Sequence, residues 1–170
     1  MKSVDLIIPC YNEERVLAQS VQTLREWAAA NLPYAWRVVV ADNASTDGTL
    51  QVAQRLAAEH PDDVAYIHLD QKGRGRALKR AWLDSPADAM CYMDVDLSTD
   101  LAMLTPLLAG VCDEGYAIAY GSRLAKQSDI KRSFKREVNS RGYVLLFKLL
   151  FRAKFSDAQC GFKAITREAA

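Results

Sequence analysis

Residues 89–98 read AMCYMDVDLS, an apolar run closed by two carboxylates, Asp94 and Asp96, with a single residue between them. A short continuous apolar run bounded by turn formers is the pattern of a strand buried on both faces. Such a strand would carry both acids to the carboxyl edge of its sheet. An isolated Asp-x-Asp is also an ordinary way to end a strand in a turn, so the meaning of the pair depends on what the rest of the chain brings to the same edge.

Three further runs of the same kind precede it. Residues 4–9 (VDLIIP), 37–41 (RVVVA) and 64–69 (VAYIHL) predict strands, and residues 116–120 predict a fifth after it. Between them the spacing predicts helices. One spans residues 13–31, with Leu17, Val21, Leu24 and Ala28 on one face and acids in its first turn. A second turns Leu50, Ala53, Leu56 and Ala57 inward, with Ser45 and Thr46 as cap candidates. A third ends near Asp84 at the Ser85-Pro86 break, and a fourth spans residues 99–114. Alternation at this spacing argues for an α/β fold, a Rossmann-like open and mostly parallel sheet flanked by helices. In such sheets ligands sit outside the carboxyl ends of the strands. Polar loops follow directly on all five expected strands, at Tyr11 to Glu14, Asp42 to Asp47, Lys72 to Arg76, Asp94 to Asp96, and Ser122 with Arg123.

At 170 residues and 50% apolar, the chain is long enough for one globular domain with a real core. The four cysteines are scattered, with neither a CxxC pair nor a Cys/His cluster, which argues against a zinc site or a disulfide framework and for a reducing, cytoplasmic setting. No signal peptide and no run of about 20 apolar residues is expected, so the chain is read as soluble or peripheral at a membrane face. The net charge of +1 hides an asymmetry. Residues 123–154 hold ten Lys/Arg against two acids, leaving 12 basic and 19 acidic residues elsewhere, a net of −7. Such a block is either a solvated basic face or a docking surface for a polyanion or an anionic membrane; nucleic acid is not expected as a partner. Within it, Tyr143 to Phe151 (YVLLFKLLF) is apolar nearly all round, which suits either a core helix or a helix lying in a membrane interface.

The acids at the strand ends have distinct chemical capacities. Alternate carboxylates such as Asp94 and Asp96 can share a hard divalent cation that also bridges diphosphate oxygens. Asp42, ending the second strand, can accept hydrogen bonds from a base or a ribose. Gly73-Arg74-Gly75-Arg76 offers backbone amides and cations to a phosphate, but it follows the third strand and is not the dinucleotide fingerprint. Lys79 and Arg80, one turn on, read as solvated.

Taken together, Ile8-Pro9-Cys10-Tyr11-Asn12-Glu13-Glu14, Asp42-Asn43-Ala44-Ser45-Thr46-Asp47-Gly48-Thr49, Gly73-Arg74-Gly75, Asp94-Val95-Asp96, Gly121-Ser122-Arg123 and Asp157-Ala158-Gln159-Cys160-Gly161-Phe162-Lys163 resemble the family 2 glycosyltransferases of the GT-A fold. Within that family the order of motifs is most similar to the dolichyl-phosphate and polyprenyl-phosphate glucosyltransferases, with the mannosyltransferases next. The resemblance implies that Pro9, Tyr11, Glu13 and Asp42 line a nucleobase pocket and that Arg74 approaches the nucleotide. It implies that Asp94 and Asp96 hold the ribose and a Mg²⁺ or Mn²⁺ on the diphosphate, Asp96 being the principal metal ligand. Arg123, Arg136 and Ser140 would receive the phosphate of the lipid acceptor, while Asp157 and Gln159 would close the site around sugar and acceptor, Asp157 more as a positioning or electrostatic residue than as a base.

On this resemblance the chain is expected to be a single, carboxyl-terminally truncated catalytic domain. Its nucleotide-sugar part would be residues 1–123 and its acceptor- and membrane-facing part residues 124–170. The implied reaction is an inverting transfer of a hexose to a polyprenyl or dolichyl phosphate at the cytoplasmic membrane face, from UDP-glucose in the first place or GDP-mannose. The alternatives are a saccharide hydroxyl as acceptor, or a nucleotide-sugar-binding module without turnover. Asn43 and Ala158 stand where many relatives carry Asp and Thr, which leaves the sugar open.

Overall fold

The computed structural model describes residues 1–121 and 161–170. The chain divides into two compact units, residues 1–119 with 161–170 and residues 120–160, and nearly all of the described residues belong to the first. Ser122, Arg123, Arg136, Ser140, Asp157, Gln159 and the basic segment lie outside the described residues.

The elements run β1 (Ser3–Cys10), α1 (Leu17–Asn31), β2 (Ala35–Asn43), α2 (Thr49–Glu59), β3 (Val64–Leu69), α3 (Arg74–Asp84), β4 (Ala89–Tyr92), a 3₁₀ turn (Leu101–Met103), α4 (Leu104–Cys112), β5 (Ile118–Tyr120), β6 (Lys163–Thr166) and a last 3₁₀ turn (Arg167–Ala169). They form one six-stranded sheet in the order β3-β2-β1-β4-β6-β5. β1 pairs in parallel with β2 and with β4, β2 pairs in parallel with β3, and β6 runs antiparallel to β4. The central strands are buried on both faces, with Leu6, Ile7, Ile8, Val38, Val40, Met90 and Cys91 wholly excluded from solvent. This is why their sequences read as unbroken apolar runs rather than as alternation.

One face of the sheet closes around Ile7, Val39, Ala41, Met90, Tyr92 and Ile165 under the α3 residues Ala77, Leu78 and Ala81. The expected stripe Leu17, Val21, Leu24 and Ala28 is buried on α1. That helix stops at Asn31, just before Leu32-Pro33, where the residue preceding proline turns extended. Likewise α3 stops at Asp84 ahead of Ser85-Pro86.

Four details depart from the sequence expectation. α1 starts at Leu17 rather than at residue 13, and no acid lies in its first turn. Glu13 and Glu14 belong instead to a preceding turn, where the Glu13 carbonyl accepts from the Val16 and Leu17 amides. Ser45 and Thr46 do not cap α2, which follows Gly48 without a side-chain cap on its N-cap residue. The fourth helix splits, Asp100 capping the 3₁₀ turn through the Ala102 amide before α4 begins. The sixth strand, β6, was not expected at all; it inserts between β4 and the short β5.

Candidate active site

The loops after β1, β2, β3 and β4 meet at the carboxyl edge of the parallel strands, and their polar residues bond mainly to one another. Asn12 Oδ1 accepts from the Thr46 amide at 2.8 Å, and the Asn12 amide donates to Ser45 Oγ at 3.0 Å. The Glu13 amide donates to Thr49 Oγ1 at 2.7 Å and Glu14 Oε2 accepts from the Gly48 amide at 2.6 Å. Asn43 Oδ1 takes the Gly73 amide at 2.6 Å, tying the β2 loop to the start of α3. Lys72 Nζ sits 3.6 Å above the centre of the Tyr11 ring, a cation–π contact between the β3 and β1 loops. The Arg74 guanidinium pairs with Asp94 Oδ1 and lies 5.9 Å from the centre of the Tyr92 ring.

The backbone at this edge is strained. Three non-glycine residues hold positive φ among the described residues: Asn12 (57°), Ala44 (58°) and Leu97 (47°). Each lies in a loop directly after a parallel strand. A left-handed conformation is tolerable for asparagine but unfavourable for leucine, by about 1–2 kcal/mol, and persists where the surroundings over-determine it.

Asp94-Val95-Asp96-Leu97 is a turn closed by the Leu97 amide on the Asp94 carbonyl at 3.0 Å. Val95 is buried and pins it, while Asp96 is exposed. Asp96 Oδ1 accepts from the Ser98 amide at 3.0 Å, which orients the carboxylate; its second oxygen has no hydrogen-bond partner among the described residues. On the Asp94 side the wall is Gly161, where any Cβ would overlap the carboxylate. The glycine of the Asp157-to-Lys163 motif is thus required by close approach to the acid pair. A hard cation of the Mg²⁺ or Mn²⁺ type suits this donor set, since such ions bind through one or two carboxylates and complete their shell with waters and substrate phosphates. Among the described residues no group of three or more His, Cys, Asp or Glu side chains could hold an ion by itself.

Asp42 is different in kind. Its side chain is 0% exposed. Oδ2 lies 2.6 Å from His68 Nδ1, whereas Oδ1 is buried without a hydrogen-bond partner. A buried carboxylate oxygen left unpaired is costly and infrequent in native structures. Pro9 and Tyr11 are half-buried beside it on the β1 side, Pro9 standing opposite Ala41 and Cys10 opposite Asp42 in the register. Cys10 itself is no nucleophile: burial first, and then the charges of Asp42, Glu13 and Asp47, push its thiol up to about 12.

The structure therefore brings Pro9, Tyr11, Glu13, Asp42, Arg74, Asp94 and Asp96 to one edge. Arg74 is found on Asp94, and Arg80 pairs with Asp84 on the exposed face of α3, as a solvated residue would. His68 carries no sequence signal of its own. It sits in an apolar strand like any other half-buried residue, and only the cross-strand pairing of Asp42 with His68 reveals it.

A model of glycosyl transferase family 2 matches residues 5–170. The glycosyltransferase AglD of Haloferax volcanii is 40% identical over 168 residues, covering 98% of this chain and 27% of that protein. A dolichyl-phosphate beta-glucosyltransferase of Mus musculus is 31% identical over 182 residues, covering 99% of this chain and 56% of that protein. The chain thus spans little more than half, or less, of these relatives. Among solved structures, glucosyl-3-phosphoglycerate synthase of Mycobacterium tuberculosis, in complex with Mn²⁺, uridine diphosphate and glucosyl-3-phosphoglycerate, superposes with a TM-score of 0.67 at 19% identity, over 98% of this chain and 57% of that one. That likeness establishes the GT-A type of fold.

Proposed function

The chain belongs to glycosyl transferase family 2, and from that premise we propose that it transfers a hexose, glucose from UDP-glucose, with inversion to a polyprenyl or dolichyl phosphate at the cytoplasmic face of a membrane. The observation that carries this reading is the Asp94–Leu97 turn, an oriented acid pair walled by Gly161 and reached by Arg74 at the edge where four strand-end loops interlock. The identity of the acceptor draws its support from the mouse relative, a dolichyl-phosphate glucosyltransferase, and from the basic run of residues 123–154.

In this reading Asp42 receives the nucleobase, with Tyr11 and Pro9 beside it. Asp94 and Asp96 hold the divalent cation, which when bound supplies charge stabilisation for the departing diphosphate. Arg74, on the same edge, adds a positive charge to the leaving group's surroundings. The acceptor needs no activation by a base, because a phosphate monoester with a second pKa near ~6 is already an anionic nucleophile at neutral pH. What the protein must supply is orientation and relief of repulsion between two anionic reactants. Arg123, Arg136 and Ser140 are assigned to the acceptor phosphate, and Asp157 and Gln159 to positioning sugar and acceptor. The basic run docks on anionic lipid. Among the described residues no helix is long and apolar enough to cross a membrane.

The test is to incubate the protein with UDP-glucose or GDP-mannose, polyprenyl phosphate and Mg²⁺ or Mn²⁺, and to weigh the lipid product. A hexosyl phosphoprenol from UDP-glucose is expected. A product from GDP-mannose alone would replace the sugar, transfer only to a saccharide hydroxyl would replace the acceptor, and donor binding without any product would overturn the enzymatic reading.

A further inference from the structure

His68 lies on β3 directly across from Asp42 on β2, at 2.6 Å between Nδ1 and Oδ2. In this contact Nδ1 donates and the carboxylate oxygen accepts. Nε2 then faces outward, 3.5 Å from the exposed Asp70 carboxylate. It opens on a groove of about 540 Å³ that is also lined by Gln71, Arg76, Arg80 and Asp84. His68 is the one side-chain partner of Asp42 among the described residues: without it, both carboxylate oxygens would be buried and unpaired, and no side chain would hold the carboxylate in one orientation.

We propose that His68 is the positioning residue for base recognition. This rests on the reading of Asp42 as the base-facing acid. By occupying Oδ2 from the β3 side, His68 fixes the orientation of the Asp42 carboxylate and leaves Oδ1 as a pure acceptor. A pure acceptor selects bases that present a ring N–H, as uracil and guanine do, over cytosine, whose corresponding ring nitrogen carries a lone pair. Base preference is therefore set jointly by a buried acid and by a histidine that need not touch the nucleotide.

The experiment compares calorimetric affinities for UDP, GDP and CDP, each with Mg²⁺, in the unaltered protein and four variants. His68→Leu removes the donor. His68→Asn restores a donor at the level of Nδ1, and His68→Gln places one at the level of Nε2 instead. Asp42→Asn tests the acid itself. A hydrogen bond to a charged group is worth roughly tenfold or more in affinity. The better of UDP and GDP should therefore weaken about tenfold in His68→Leu and in His68→Gln, with CDP changed less than about twofold, while His68→Asn recovers most of the loss. Should His68→Leu fail to give a cooperative thermal transition, the Asn-against-Gln comparison decides alone. Equal weakening toward all three nucleotides, or no difference between Asn and Gln, would overturn the inference. The outcomes also separate the two levels of reading. Loss of preference in Asp42→Asn but not in the His68 variants would remove His68 alone, whereas an unchanged preference in Asp42→Asn would remove the base-facing role of Asp42.

Discussion

The two edges of the parallel strands handle buried acids in opposite ways. Near the amino edge Asp5 is 3% exposed and fully paired. Its Oδ1 accepts from Arg37 Nε at 3.1 Å, and its Oδ2 accepts from Arg37 Nη2 at 2.8 Å and from Ser85 Oγ at 2.7 Å. Close by, Ser3 and Asp88 bond reciprocally, and Arg167 Nη1 donates to the Pro86 carbonyl. At the carboxyl edge Asp42 is equally buried but keeps one oxygen unpaired, Asp96 is exposed, and three residues hold left-handed backbone. The same residue type is therefore a structural tie at one edge and a buried acid with an unpaired oxygen at the other. Polar groups that satisfy each other stabilise the fold; those left open are where a ligand can add interaction energy.

The contrast can be broken first at Asp96. Asp96→Asn retains the oxygen that takes the Ser98 amide, so stability should stay within about 0.5 kcal/mol. Turnover in Mg²⁺ or Mn²⁺ should fall about a hundredfold or more. Denaturant midpoints alongside initial rates would check both, and unchanged turnover would take Asp96 out of the metal role. The mirror experiment is Asp5→Ala, which leaves the Arg37 guanidinium and the Ser85 hydroxyl without their acceptor. Removing one partner of a buried pair costs about 3–5 kcal/mol. Because the Arg37 side chain keeps 33% of its surface in solvent, about 2–3 kcal/mol is expected here, read as a lower urea midpoint with activity per folded molecule retained.

The smallest effect is an acid dependence. The Ser3 amide foremost, and then the Ser3 hydroxyl, hold the Asp88 carboxyl below its ordinary value. A group depressed in the folded state contributes stability that is fully present above the unfolded pKa, about 3.9, and is lost as pH falls through the folded pKa. Thermal midpoints followed from pH 5 downward should decline less steeply in Asp88→Asn. At the other edge Asp47 is depressed too: burial raises it, but bonds from the Thr49 hydroxyl, the Thr49 amide and the Glu14 amide outweigh burial. Asp47→Asn should flatten the same limb, and a difference between the two slopes would show which edge loosens first in acid.

Most of the sheet was legible because its central strands are buried on both faces and so announce themselves by composition. β1 to β4 begin or end within a few residues of the apolar runs that predict them. β6 was not legible: four residues, Lys163 to Thr166, carry too little pattern, and what makes them a strand is Ala164 and Ile165 meeting Cys91 and Met90 on β4. The loops were legible in composition but not in wiring. Ser45 and Thr46 have the chemistry of helix caps, and residue type reports only the capacity to hydrogen bond; here that capacity is used on Asn12, and the neighbouring carboxylates of Glu14 and Asp47 serve the amides where α2 begins. The start of α1 shifted for the same reason, since Glu13 and Glu14 are engaged with the β2 loop. His68 needed the register between β2 and β3, which no single strand carries.

Gly161 has a consequence for the order in which the molecule is made. Asp94 is set at the end of a strand whose antiparallel partner comes from the far end of the chain, and its wall is a residue just ahead of that partner. Parallel pairing among β1 to β4 can form while only the first part of the chain exists. The wall beside Asp94 can be added only once residue 161 has been made, after every residue of the parallel strands and of the acid pair itself. A nascent chain that has not yet reached Gly161 holds the acid pair without its glycine wall, so the wall arrives later than the strands that carry the pair.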